Sequence, residues 1–327
     1  MLKRGFSLIE LIVAMGLLAV VLLFVFDTFT YQHETYTVVD QISEAQQNSQ
    51  AIARLIERDV RSAGYMVSPQ AASCGVDSVA AADILFVSDV DAILPADDLP
   101  LEFAGELLGA ETTDDPTSTG SLQVDVDDVV IDGTASYDVD SDGTNDSDFR
   151  VGGGAILVDR GNPGRGVACG LVTAVDPSDP SVTVNFQAVH ASAAAAAKDL
   201  VLVPAQVYRI VTGGGPPQLE RSGVLLAKDV EDLQVAWFYD DDTDGVIDGG
   251  EVRGVAGANY LTNAVQGDEL REIRVNLVMR TRADDPRNPG SAGIGQAREN
   301  HTTSLPGADG KHRRVRTATV RLRNLTL

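Results

Sequence analysis

The chain has 327 residues, with 25 Lys+Arg against 48 Asp+Glu and a formal net charge of -23. So acidic a protein repels a phosphate backbone, and no nucleic-acid partner is expected. The 44% hydrophobic content supports a real core, only one stretch is apolar enough to cross a bilayer, which excludes a polytopic membrane protein, and two cysteines and four histidines offer little to a thiolate metal site or a histidine-based catalytic centre.

Lys3 and Arg4 precede an apolar run from Phe6 to Phe26 that is broken by one charge, Glu10. A helix of about 20 such residues matches the hydrocarbon thickness of a membrane, and the two cations predict that the amino terminus stays cytoplasmic. A cleaved secretory signal is shorter in its apolar part and ends in small residues of the Ala-x-Ala kind. This run leaves at Phe26-Asp27 without such a site and passes straight into a helical pattern. Glu10 is the telling residue, because a carboxylate within the bilayer is costly unless paired.

Lys3-Arg4-Gly5 followed by Phe6-Ser7-Leu8-Ile9-Glu10 resembles the class III signal of type IV pilins and type II secretion pseudopilins. The resemblance implies cleavage between Gly5 and Phe6 by the membrane prepilin peptidase, methylation of the new Phe6 amine, and a role for Glu10 in filament assembly. Elementary electrostatics supplies that role: a buried carboxylate seeks a counter-charge, and the terminal amine of Phe6, on its own chain or a neighbour's, provides one.

Beyond the membrane, Ile42, Ala45, Ser49, Ile52, Ile56 and Val60 recur every three or four residues and predict one apolar helical stripe. Glu57 and Arg61 stand i,i+4 in the favourable order, and Gly64 is a natural stop. A helix from Phe6 to about Ala63 would be roughly 85 Å long. The segment Asp59-Val60-Arg61-Ser62-Ala63-Gly64-Tyr65 resembles the D-x-R-x-A-G-Y junction of PilW-type minor pilins. Val230–Val235 and the closing Thr319–Asn324 resemble the same family, whereas residues 75–200 carry no matching motif.

After Gly64 the pattern changes to short β-runs bounded by turn residues: Ile84–Ser88, Leu122–Val126, Val129–Ile131, Ala155–Val158, Val182–Phe186, Val201–Val203, Val207–Val211, Leu233–Tyr239, Ile273–Arg280 and Arg316–Leu322. The expected fold class is therefore α+β and type IV pilin-like: a long N-terminal α-helix, membrane-spanning in its first half, and a β-rich globular head. The expected division is a leader at 1–5, a transmembrane helix at 6–29, the periplasmic half of the helix at 30–64 and the head at 65–327. Ala193–Ala197 reads as a short helix or loop.

Cys74 and Cys169 would lie in an oxidising periplasm, where a disulfide is the natural expectation and two buried thiols the alternative. Asp240, Asp242 and Asp244 occupy positions one, three and five of a 12-residue calcium loop. Gly245 stands at the turn, the Val246 carbonyl at position seven and Glu251 at position twelve. A second loop offers Asp138, Asp140 and Asp142, but its twelfth residue is Phe149, so Asp148 would have to substitute. One or two Ca2+ sites are expected; the alternative is acidic turns kept by solvation. No Lys or Arg stands between Arg61 and Arg150, a stretch with 20 acidic residues. From Lys311 onward the sign reverses, with Arg313, Arg314, Arg316, Arg321 and Arg323.

No nucleophile elbow, zinc His-Glu-x-x-His or P-loop is present, and no enzyme is expected. The resemblance implies a minor pilin of PilW type that takes part in type IV pilus assembly or priming near the tip. Its partners would be other minor and major pilins, the prepilin peptidase, the inner membrane and a tip adhesin. The alternative is a minor pseudopilin of J type in a type II secretion system.

Overall fold

A computed structural model describes residues 7–93, 107–190, 199–260, 269–285, 299–301 and 309–322. Gly5 and Phe6, the Ala193–Ala197 run and most of 284–310 lie outside the described residues.

The first element is helix α1 (Leu8–Ser62), 55 residues and about 82 Å long at 1.5 Å per residue. Ser7 caps it and Ala63 ends it, with Gly64 at φ 80°, a left-handed turn that a side chain would resist. Its most apolar window is wholly exposed on the isolated chain, whereas Ala45, Ser49, Ile52, Ala53, Ile56, Asp59 and Val60 are buried beneath the head. One apolar stripe thus serves two solvents: all round in the first half, one face in the second.

The head contains β1 (Ser73–Val76), β2 (Ile84–Val87), β3 (Ala110–Thr112), β4 (Gly120–Asp125), β5 (Gly154–Asp159), β6 (Val167–Asp176) and β7 (Ser181–Ala188). It continues with β8 (Leu200–Val211), β9 (Gln218–Arg221), β10 (Val224–Lys228), β11 (Val230–Tyr239), β12 (Val252–Arg253), β13 (Leu270–Arg280) and β14 (Arg313–Arg321). They form two sheets. One has ten strands in the order β1-β2-β8-β5-β6-β7-β4, with β3 and the β9-β10 hairpin attached through β8. The other has four strands in the order β12-β11-β13-β14.

Helix α1 closes a core against the small sheet and one end of the large one. Ile52, Ile56 and Val60 meet Leu233, Val235, Trp237, Ile273, Val275, Leu277, Val320 and Leu322, together with Leu85, Val87 and Tyr208. Trp237 is the centre of this layer. It fits because Gly75 and Gly254 present no side chain to its ring; a Cβ at Gly75 would collide with it, and one at Gly254 would crowd it while striking the Val235 carbonyl. A second core surrounds Cys74 and Cys169, with Phe86, Ile156, Val158, Val203 and Val207. A third, with Val124, Phe149, Leu157, Val184, Phe186 and Leu202, fills the far part of the large sheet.

The structure departs from the expected strands in instructive places. Val201–Val203 and Val207–Val211 are one strand, β8, because Pro204 lies within it without breaking its pairing to β5. Val129–Ile131 is not a strand: the Val129 carbonyl accepts from Asp148 and Ser147, and the Ile131 N–H is taken by the Asp148 carboxylate at 2.6 Å. Side-chain capping of this kind competes with a strand ladder.

Candidate functional site

At the amino end Ser7 and Glu10 form a capping box. Ser7 Oγ accepts from the Glu10 N–H at 3.3 Å, and the Glu10 carboxylate accepts from the Ser7 N–H at 2.9 Å and its hydroxyl at 3.1 Å. This reciprocal pairing satisfies donors that would otherwise be orphaned at a helix start. It also gives the Glu10 carboxylate two hydrogen-bond donors, both from Ser7. Gly5 and Phe6, the expected processing residues, lie outside the described residues.

At the other end of α1, Asp59 fastens the helix to the head. It is 5% exposed, and its carboxylate accepts from the Tyr208 hydroxyl at 2.5 Å and from Arg221 Nε at 2.8 Å, with Arg58 on its other oxygen at 3.0 Å. Burial, followed by the Asp59 charge, pushes the Tyr208 phenol well above its ordinary range, so it remains the donor. Asp59 was visible only as part of a family-like segment. Its partners are 149 and 162 residues away, and no spacing rule reaches that far.

Cys74 and Cys169 are joined, closing 95 residues of chain between β1 and β6. The pair sits in the core of the large sheet, with both residues fully buried.

The two acidic loops adopt related conformations. In the later one, the carboxylate oxygens of Asp240, Asp242 and Asp244 come within 4.8 Å of one another. Gly245 turns at φ 82°, and its N–H reaches Asp240 at 3.4 Å. Glu251 is folded back against the loop, accepting from the N–H groups of Asp248 and Asp241, both at 2.8 Å. Those donors hold its carboxyl below the usual range. Val246 is exposed. In the earlier loop the group that converges is Asp138, Asp140 and Asp146. Asp142 instead accepts from Thr144, whose hydroxyl and N–H lower its pKa. Asp148, the expected substitute at the twelfth position, is turned inward. It is wholly buried, binds the Ile131 N–H and the Ser136 hydroxyl, and burial raises its pKa to about 6. Aspartates at alternate positions bend back on nearby N–H groups in a tight turn, so counting positions from the first Asp identified the carboxylates that meet in the later loop but not in the earlier one.

The arginines of the basic terminal strand differ in burial. Arg313 is buried and bridges Glu231 and Asp309, whereas Arg314, Arg316 and Arg321 are exposed.

Comparison with known proteins adds three findings. The prokaryotic N-terminal methylation motif matches residues 1–26. Among solved structures, a type IV-like pilin from Thermus thermophilus aligns with 11% identity and a TM-score of 0.30, over 89% of this chain and 97% of that one. No curated protein matches the chain. The protein is pilin-like in plan, with a methylation motif leading a single long apolar helix into a β-rich head. That plan fits a membrane-anchored subunit.

Proposed function

We propose that the protein is a minor pilin of PilW type, an inner-membrane subunit with its head in the periplasm that takes part in type IV pilus assembly or priming near the tip. The observation that carries this reading is the methylation motif over residues 1–26, continuous with a helix whose apolar first half is exposed all round. Lys3 and Arg4 would hold the leader in the cytoplasm. Prepilin peptidase would cut after Gly5, and the methylated Phe6 amine would meet Glu10 of an adjacent subunit, major or minor pilin, at the point where Ser7 already holds that carboxylate. Intact mass of the protein isolated from its own membrane tests this. A product beginning at Phe6 with one added methyl is expected, and an intact Met1 overturns it. Co-isolation with pilus subunits and a tip adhesin is expected; co-isolation with secretion-channel components would instead select the J-type pseudopilin.

Calcium in the head belongs to the same proposal. Ca2+ takes six to eight oxygen ligands; Asp240, Asp242 and Asp244 bring three carboxylates together, and the Val246 carbonyl and Glu251 would complete the set. The earlier loop offers Asp138, Asp140 and Asp146. Calorimetric titration of the full chain in detergent should show binding that Asp244→Ala weakens. Equal heats for the two proteins would refute the later loop as the site.

A further inference from the structure

On β11, Leu233 and Val235 pack toward α1, so Asp232 and Gln234 point to the other face of the small sheet. Residues 299–301 cross that face and clasp three elements. Glu299 accepts from Arg274 at 2.7 Å and Asn276 at 2.6 Å on β13, Asn300 Nδ2 donates to Asp77, and His301 Nδ1 pairs with Asp232 on β11 at 2.8 Å. Gln234, the cross-strand partner of Asn276, lies between these anchor points. It is wholly buried, and Asn300 is 2% exposed. Gln234 Nε2 donates to Asp232 Oδ1 and to the Ala81 carbonyl, both at 3.1 Å. With acceptors on each amide nitrogen, neither side chain can be turned round, so Gln234 Oε1 and Asn300 Oδ1 are fixed as acceptors. Among the described residues, no donor reaches either oxygen. Acids surround them. Buried Asp83 brackets Gln234 along the β11 edge, its N–H on the Leu233 carbonyl and its carboxylate on the Val235 N–H, both at 2.8 Å. Its other oxygen accepts from the N–H of Ser78, the neighbour of Asp77, at 2.9 Å.

We propose that a hard divalent cation of the Ca2+ kind binds beneath residues 299–301, held by Gln234 Oε1 and Asn300 Oδ1 with carboxylate oxygens of Asp232 and Asp77. Unsatisfied buried oxygens call for a water or an ion. The charge selects the ion: Asp77, Asp83 and Asp232 stand against one imidazole, His301, in their described contacts, and buried carboxylates are costly without a counter-charge. Among the described residues these three acids do not converge by themselves as the aspartates of the acidic loops do. The two amide oxygens therefore decide the site, and an all-oxygen set of this mixed kind suits Ca2+. The bound ion would fasten residues 299–301 to β11. This site shares no residue with the acidic loops, and either can fail without the other.

Thermal unfolding and equilibrium dialysis of the full chain in neutral detergent test it, with Asp140→Ala and Asp244→Ala in place to disable the loops. Ca2+ at about a hundredfold excess over its dissociation constant should raise the melting temperature by about 5 °C over the value in chelator, with one ion bound per chain. Adding Gln234→Leu should abolish both the rise and the bound ion. Asn300→Ala, a change outside the sheet, should do the same, so the result does not hang on whether the leucine chain folds. Near-ultraviolet circular dichroism in chelator, unchanged from the parent, shows that each variant is folded. A loop-disabled chain that binds no ion, a melting temperature that Ca2+ leaves unmoved, or an ion retained in full by Asn300→Ala overturns the site and leaves water as the partner of both oxygens.

Discussion

Replacing Asp59 by alanine should loosen the helix from the head, and the geometry gives the size of the effect. Three partners lose their acceptor. Arg58 is mostly exposed, so its share is about 0–1 kcal/mol. Tyr208 is wholly buried, and its hydroxyl would be left unpaired at a cost of about 1–3 kcal/mol. Arg221 has a side chain 24% exposed, so water recovers part of the several kcal/mol that an orphaned buried charge costs, leaving about 1 kcal/mol. The sum is about 2–5 kcal/mol. At roughly 2 °C per kcal/mol for a chain of this size, the melting temperature should fall by about 4–10 °C. Thermal unfolding of the full chain in detergent, followed by near-ultraviolet circular dichroism, measures it. Tyr208→Phe completes a double-mutant cycle, and the pair should show about 1–2 kcal/mol of coupling. A melting point lowered by less than about 1 °C in Asp59→Ala, or additivity with Tyr208→Phe, would refute the clamp.

The remaining expectations concern the head. Reducing Cys74–Cys169, which closes 95 residues, should cost up to about 4–5 kcal/mol in the chain-entropy model; denaturant titration with and without reductant checks this. Burial raises Asp83 from 3.8 to about 8 and Asp148 to about 6, so the folded state holds protons the unfolded chain has released. The stability these two groups contribute is therefore fully present below about pH 4 and is lost as pH rises, first through 6 and then through 8. Asp83→Asn should flatten the upper part of that decline in melting temperature, and an unchanged slope would remove Asp83 as its source. Gly75→Ala would press a methyl into the Trp237 ring at a cost of about 1–3 kcal/mol. Trp237 is the sole tryptophan, so a shift in its emission reports the repacking directly.

The sequence revealed most where the physics is local. The bilayer-length run, the stripe Ile42–Val60 and the stop at Gly64 are patterns within one element, and the structure has the helix they predict. It was least legible where the controlling partner is remote. Strand β6 was missed because its buried half reads Val-Ala-Cys-Gly-Leu-Val with no alternation, as expected of a strand covered on both faces. Val129–Ile131 looked like a strand until Asp148 claimed its N–H. In the candidate site, the three aspartates of the later loop converge as counted, whereas Asp146 displaced Asp142 in the earlier loop because side-chain turns decide which carboxylates face inward.

The central position of β8 sets a timetable for the nascent polypeptide. Strands β2 and β5 both pair with it, yet it begins at Leu200. As the chain is made from its amino end, β1-β2 and β5-β6-β7-β4 can already pair, but β2 must hold its β8-facing edge open for more than a hundred residues. Such delayed, non-local pairing is slow and exposes sticky edges. The waiting stretch is the one with 20 acids and no base between Arg61 and Arg150. Its mutual repulsion keeps neighbouring unfinished chains apart until β8 arrives.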